Sequence, residues 1–125
     1  ISLGTVASCT YFDASDKYIE DNKNTEKIQI VYGLNAMKQN VLKLKAGRMT
    51  AYCANPYVLQ YVLHTNKLSG IRKAGCASEQ EKLYMAFSPA LPQSQKYATI
   101  FSEGMRELTA SGIVKKIYAA YGIDY

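Results

Sequence analysis

The chain has 125 residues, of which 48% are hydrophobic and 20% are charged, and its formal net charge is +5. This balance excludes a disordered tail, and the length suits one ordinary hydrophobic core. No apolar run reaches the roughly 18 residues of a transmembrane helix, and the basic residues are dispersed among acidic ones, which argues against a nucleic-acid surface. Ile1 to Ser8 lacks the basic start and long apolar stretch that are typical of a signal peptide, so we expect that, if the protein is exported, its signal has already been removed.

The first part of the chain alternates strands and helices. Ile1 to Val6 is an apolar, β-branched run that predicts a strand, and a helix is expected from about Ala14 to Asp21. Ile28, Ile30 and Val31 predict a second strand, which is expected to end at Tyr32-Gly33. Asn35 is then expected to cap a helix whose last turn is followed by Gly47, where a left-handed residue is favoured.

A third strand is predicted at Met49 to Ala54. Asn55-Pro56 supplies an N-cap and a first-turn proline, which predicts a helix over Tyr57 to His64. Ile71 to Cys76 and Leu83 to Phe87 are further strand candidates, separated by the polar turn Ala77 to Glu81. The tail is expected to be helical, with helices over Ala98 to Ala110 and Ile113 to Tyr121 around Gly112.

Repeated strand and helix units predict an α/β fold with a mostly parallel sheet flanked by helices and a helical C-terminal tail. Ligands of such sheets bind beyond the carboxyl ends of the strands, where loops and helix N-termini offer free N–H groups. Two loops have that position here. They are Ser8-Cys9-Thr10 after the first strand and Ala54-Asn55 after the third.

The chain has three cysteines, Cys9, Cys53 and Cys76, and one histidine, His64. No two cysteines form a CxxC pair, so the spacing predicts no metal site. We interpret them as small hydrophobic residues buried at strand positions. A disulfide between two of them stays open, since spacing does not choose the pair.

Residues Leu42 to Ala51 read Leu-Lys-Leu-Lys-Ala-Gly-Arg-Met-Thr-Ala. This run resembles the L-x-x-G-R-x-D-A element of the polar amino acid family of solute-binding proteins of ABC transporters, with Thr50 in place of the aspartate. The resemblance covers nearly the whole chain in order. The other matching segments are Gly4 to Thr10 for the first strand and ligand loop, Tyr84 to Pro89 for a returning strand, and Phe101 to Leu108, Ser111-Gly112, Ile117 and Tyr121-Gly122 for the two closing helices.

The resemblance implies a two-lobed periplasmic-binding-protein fold of which this chain holds a part. Residues 1–82 would form the second lobe, and residues 83–125 would be a returning strand and C-terminal helices that pack on a first lobe located upstream. Without that lobe, the apolar face of the tail would fold onto this lobe, pair with another copy as a dimer or domain swap, or indicate missing upstream sequence.

The implied function is binding of a small polar solute, such as an amino acid or related carboxylate, for delivery to a membrane permease in the periplasm or outside the cell. Thr10 matches the family's threonine that holds the ligand carboxylate. Cys9 occupies a position where the family commonly has a second hydroxyl residue, and Ser8 occupies a position where it commonly has glycine. Asn55 stands where amino-acid binders place an aspartate for the ligand's ammonium group. The alternative for all four residues is ordinary capping and turn chemistry.

Neither a cofactor nor a catalytic role is expected. Two other functions on the same fold stay open. One is a ligand-sensing module of a signalling protein. The other is a dehydratase-like enzyme that uses a Cys9 thiolate at a helix N-terminus. An enzyme of this kind needs a base near the thiol, and His64 is expected at the end of its helix that is far from the ligand loops.

Overall fold

The computed structural model describes residues 1–7, 9–76 and 83–125. They form two compact units, Ile1–Glu79 and Gln80–Tyr125. The interpretation of residues 1–82 as a lobe and residues 83–125 as its returning tail stays a prediction. The elements in chain order are β1 Leu3–Val6, α1 Asp13–Asn22, β2 Ile28–Val31, α2 Ala36–Lys45, β3 Ala51–Tyr52, α3 Pro56–Thr65, α4 Ser94–Ala110 and α5 Ile113–Ala120.

The three strands form one sheet in the order β2-β1-β3, and both pairs are parallel. Leu3 of β1 is in register with Ile28 of β2 and with Ala51 of β3. One helix separates each two consecutive strands, α1 between β1 and β2 and α2 between β2 and β3, which is the usual connection in a parallel sheet. The expectation of an α/β fold with a parallel sheet is confirmed at this level, and the finer assignment to the periplasmic-binding-protein fold stays a proposal.

Helix α2 organises the core of the first unit, because it packs against all three strands and against α3. Val41, on its inner face, is fully buried. The close approach of α2 and the segment after it to the sheet explains Gly4, since a Cβ there would lie 2.5 Å from the sulfur of Met49. The buried apolar residues of this unit are Ile28, Val31, Ala36, Val41 and Met49.

The predicted helix ends are largely confirmed, because they depend on local chemistry. Asn55 caps α3, its side-chain oxygen accepting hydrogen bonds from the N–H groups of Tyr57 at 3.0 Å and Val58 at 3.3 Å. Gly47 follows α2 with φ of 68°, the left-handed conformation that glycine adopts without steric cost. Asn35 stands at the N-cap of α2 without a side-chain capping bond.

Two strand predictions are wrong. Ile71 to Cys76 and Leu83 to Phe87, the latter including the returning strand, belong to no strand in the described part of the chain. An apolar run becomes a strand only where another strand pairs with it, and Leu83 is instead 99% exposed. The third strand is also shorter than the predicted Met49 to Ala54, since β3 contains two residues. The predicted turn Ala77 to Glu81 lies outside the described residues.

The second unit consists of α4 and α5, which pack against each other and are joined through Gly112, whose φ is 74°. Helix α4 begins at Ser94, before the predicted Ala98. The rings of Phe87 and Phe101 meet edge to face, with centroids 6.2 Å apart. Most apolar side chains of these helices remain exposed, and Val114 is the buried one among those described. The three expectations for this apolar face, that it folds onto the lobe of residues 1–82, pairs with another copy or packs on an upstream lobe, stay predictions.

The interpretation of the cysteines as buried strand residues is wrong for Cys9 and Cys76, and Cys53 is only half-buried and lies just outside a strand. Cys9 and Cys76 are exposed and lie outside the strands, because the loop after β1 and the segment after α3 have no strand partner to bury them. Cys53 is half-buried directly after β3. All three are free thiols.

Candidate functional site

The two predicted ligand loops follow neighbouring parallel strands. Beyond the ladder of β1 and β3, the N–H of Cys53 still donates to the carbonyl of Gly4 at 3.3 Å. Because the strands are adjacent and run in the same direction, the loop with Cys9 and Thr10 and the loop with Asn55 leave the sheet from the same edge. Cys9, Thr10 and Asn55 are all exposed there. Ser8 lies outside the described residues.

Tyr11 closes the first of these loops onto the sheet. Its hydroxyl oxygen accepts a hydrogen bond from the backbone N–H of Val6 at 2.8 Å. Its own backbone N–H donates to Oδ1 of Asp16 in α1 at 2.9 Å. Val6 is the last residue of β1 and has no register partner in the shorter β3. The Tyr11 hydroxyl therefore satisfies a strand N–H group that β3 leaves unpaired.

Asn40 of α2 is a fully buried polar residue behind the same edge. Its Nδ2 donates to the carbonyl of Thr5 at 3.0 Å. Its Oδ1 has no hydrogen-bond partner among the described residues, and a Cβ on Gly4 would lie 2.9 Å from it. An uncompensated buried amide oxygen destabilises a fold by about 1–3 kcal/mol, so its presence in this core needs a compensating role.

Tyr52 of β3 is the register partner of Gly4 and lies beside the Asn40 amide. A hydrogen bond from that amide lowers the pKa of Tyr52. The Nδ2 atom of Asn40 is bonded to the Thr5 carbonyl at 3.0 Å, which holds the amide at this position against β1.

Burial and negative charge together set the acid–base behaviour of this edge. Burial raises the pKa of Tyr52 to about 12, and the neighbouring Tyr11 and Cys9 add to the effect when ionised. Burial also raises the pKa of Tyr11, although the hydrogen bond from the Val6 N–H lowers it by a smaller amount. The pKa of Cys53 is raised by burial and then by the Asp16 carboxylate. We call Cys9, Tyr11, Asp16, Tyr52 and Cys53 the edge cluster.

Among the residues that the structure describes, the charges that raise the pKa values of Tyr11, Tyr52 and Cys53 are all negative. None of the described lysines, arginines or His64 contributes to these shifts. Asp13 and Asp16 occupy the first turn of α1 and oppose the positive end of its dipole. The carboxylate contact predicted for Thr10 would therefore form next to two carboxylates of the protein itself.

Asn55 has most of its acceptor capacity occupied. An amide oxygen has two lone pairs, and both face backbone N–H groups of α3. Its Nδ2 atom has no hydrogen-bond partner among the described residues and is the part of the side chain that can bind a solute. Capping is thus one role of Asn55 in the structure, and the ligand role stays a prediction.

Sequence analysis missed Tyr11, Asp16 and Asn40. The signal for Asn40 was its position one turn after Ala36 and next to Val41, which places an amide on the apolar face of α2. No sequence signal identified Tyr11, because its hydroxyl bonds to a strand N–H whose availability depends on how short β3 is.

Groups of three or more histidine, cysteine or acidic residues able to hold a metal ion are absent from the residues that the structure describes. In the same residues, every helix is too short or too polar to cross a bilayer. Comparison of the chain with protein-family models, with curated proteins and with solved structures gave no match.

Proposed function

We propose that this chain is the ligand-binding lobe and tail of an extracytoplasmic solute-binding protein that delivers a small polar solute to an ABC-type permease. The observation that carries the proposal is the parallel pairing of β1 with β3 as neighbours. This arrangement sends the loops of Thr10 and Asn55 from one sheet edge, where α/β proteins bind small ligands.

The ligand contacts proposed for this edge are Ser8, Cys9, Thr10 and Asn55. Thr10 and Cys9 are exposed in the loop between β1 and α1, so their hydroxyl and thiol groups are available to a solute. Asn55 would donate from Nδ2 while its oxygen caps α3. An amino acid or another small carboxylate is a candidate solute, as is an uncharged polar molecule.

The solute would bridge this lobe and a second one and would favour the closed form by binding it more tightly than the open form. The permease would recognise the closed form. A single lobe supplies part of the contacts, so the affinity of this chain alone should be low.

The test is a thermal-shift screen of the 125-residue chain with amino acids, small carboxylates, sugars and polyols, followed by calorimetry on each solute that raises Tm. We expect at least one solute to bind saturably with one site per chain. Absence of saturable binding throughout the panel would contradict the proposal.

A further inference from the structure

Helix α4 carries an apolar stripe that the fold leaves open. Tyr97, Ile100, Phe101 and Leu108 recur along the helix at a spacing that places them on one face. Their side chains are between 39% and 54% exposed. Val114 is the buried apolar residue of the second unit among those described. A unit of two helices with so little buried surface needs further apolar contacts to stay folded.

Gly104 lies within this stripe, and the chain itself does not explain it. Glycine inside a helix is destabilising relative to alanine. A Cβ at Gly104 would meet no neighbouring atom within 4 Å, and its φ is not positive. Neither packing within the chain nor backbone conformation therefore requires glycine here. A missing side chain on an apolar helix face allows the close approach of another helix.

Two opposite charges flank the stripe. Lys96 and Glu107 are about three helical turns apart, so they lie on the same flank of α4. Both are exposed, and neither forms an ion pair within the described part of the chain. A distance of about 16 Å along the helix separates them, which is too far for them to pair with each other. An antiparallel second helix would place Lys96 of one copy beside Glu107 of the other.

The stripe and its charges are complementary to themselves. Three pairs of residues are centred, to within half a residue, on the level of Ser102 in the middle of Ser94–Ala110: Lys96 with Glu107, Tyr97 with Leu108, and Ile100 with Gly104. A two-fold interface requires such a patch, because each residue of a pair then meets the other residue across the axis. A parallel pair would instead bring Lys96 against Lys96 and Glu107 against Glu107, which is unfavourable.

We propose that a second copy of this chain covers the stripe, through antiparallel pairing of α4 with α4 about a two-fold axis at the level of Ser102. Gly104 of each copy faces Ile100 of the other and lets the two helices approach closely. Lys96 of each copy pairs with Glu107 of the other, so the charge pair occurs twice. This interface uses the second unit and is independent of solute binding at the sheet edge of the first.

Sedimentation equilibrium of the 125-residue chain measures the association. We expect a dimer of twice 13.9 kDa with a Kd on the order of 10 μM. A chain that stays monomeric at about 1 mM would overturn the proposal and leave the stripe to another part of the protein or to a different partner.

Gly104→Gln tests the close contact, because it adds a side chain without adding charge. We expect the dimer Kd to rise at least about tenfold. The helix content measured by circular dichroism should stay equal or increase, since glutamine is the better helix former. An unchanged dimer Kd in this variant would overturn the contact at Gly104 and with it the pairing.

A charge swap tests the antiparallel register. Lys96→Glu opposes two acidic pairs in the dimer and should raise the Kd about fivefold to thirtyfold. Arg106→Glu makes the same change in net charge on the opposite face of α4 and should leave the Kd unchanged. Combining Lys96→Glu with Glu107→Lys should restore the parental Kd. An equal loss in Arg106→Glu, or no recovery in the double variant, would overturn the register.

Discussion

The hydroxyl oxygen of Tyr11 accepts a hydrogen bond from the backbone N–H of Val6 at 2.8 Å, beyond the level at which β3 pairs with β1. A side chain from the following loop thereby completes the hydrogen bonding of the central strand. The same contact fixes the course of the loop that carries Cys9 and Thr10. The loop and the sheet edge are therefore one structural feature, and a change to either should affect both.

Removing that hydroxyl should destabilise the fold. Tyr11→Phe leaves the part-buried Val6 N–H without its partner, and we expect the free energy of unfolding to fall by about 1–2 kcal/mol. Urea denaturation measures the change. Tyr84→Phe, at an exposed position, should stay within about 0.5 kcal/mol of the parent chain. Equal stability of the two variants would show that the Val6 bond contributes nothing.

The close approach of α2 to β1 should make Gly4 intolerant of a side chain. A Cβ there would lie 2.5 Å from Sδ of Met49 and 2.9 Å from Oδ1 of Asn40, so Gly4→Ala should cost about 1–3 kcal/mol of stability. Gly75→Ala meets no atom within 4 Å and serves as the control. A Gly4→Ala chain with unchanged urea midpoint would contradict the packing described for this edge.

The Asn55 cap can be separated from any ligand role. Asn55→Ala removes the acceptor of the Tyr57 and Val58 N–H groups and should lower stability by about 1 kcal/mol. Asn55→Asp keeps a capping oxygen and should unfold near the parent midpoint. If Asn55→Asp loses as much stability as Asn55→Ala, the side-chain oxygen is not the stabilising group.

Stability should decline in alkaline solution because Tyr52, Tyr11 and Cys53 hold their protons more tightly when the chain is folded. Tyr52 titrates near 10.0 in the unfolded chain and near 12 when folded, so the stability it contributes is fully present below pH 10 and is lost as the pH rises toward 12. The raised pKa values of Cys53 and Tyr11 act in the same direction. Urea midpoints measured across this range should fall less steeply for Tyr52→Phe than for Tyr84→Phe. Parallel slopes would argue against burial of the Tyr52 hydroxyl.

The role proposed for Thr10 predicts an effect on binding with little effect on folding. Thr10 is exposed, so Thr10→Val should change the unfolding free energy by less than about 0.5 kcal/mol. Loss of one hydroxyl contact should weaken solute binding by about 1 kcal/mol, or roughly fivefold. Calorimetry with a solute identified in the screen measures this. An unchanged Kd would remove Thr10 from the site.

Sequence reasoning located the elements whose ends are fixed by nearby residues. Asn55-Pro56 and the left-handed Gly47 set helix ends through bonds within one turn, and the structure has both. The apolar runs at Ile71 to Cys76 and Leu83 to Phe87 have the composition of strands and lack a partner. Composition describes neighbouring residues, whereas a strand forms only if a distant segment pairs with it. The sequence pattern therefore could not show that these two runs lack a pairing strand.

The candidate site could likewise be predicted only where local sequence determines the structure. The positions of Cys9, Thr10 and Asn55 at the end of a strand followed from the alternation of elements, whereas Tyr11 and Asn40 became visible through bonds that span the fold. The bond from Asn40 to Thr5 joins residues 35 positions apart. Such contacts depend on the register of β1 against its neighbours, which the hydrophobic pattern left undetermined.

The central claim is that the loops after β1 and β3 bind one solute together. The most direct measurement is a backbone NMR titration of the chain with a solute from the screen, following Cys9, Thr10 and Tyr11 in one loop and Ala54 and Asn55 in the other. The account predicts that both sets of amides shift with a single Kd. Shifts confined to one loop, or two loops that respond with different Kd values, would contradict it.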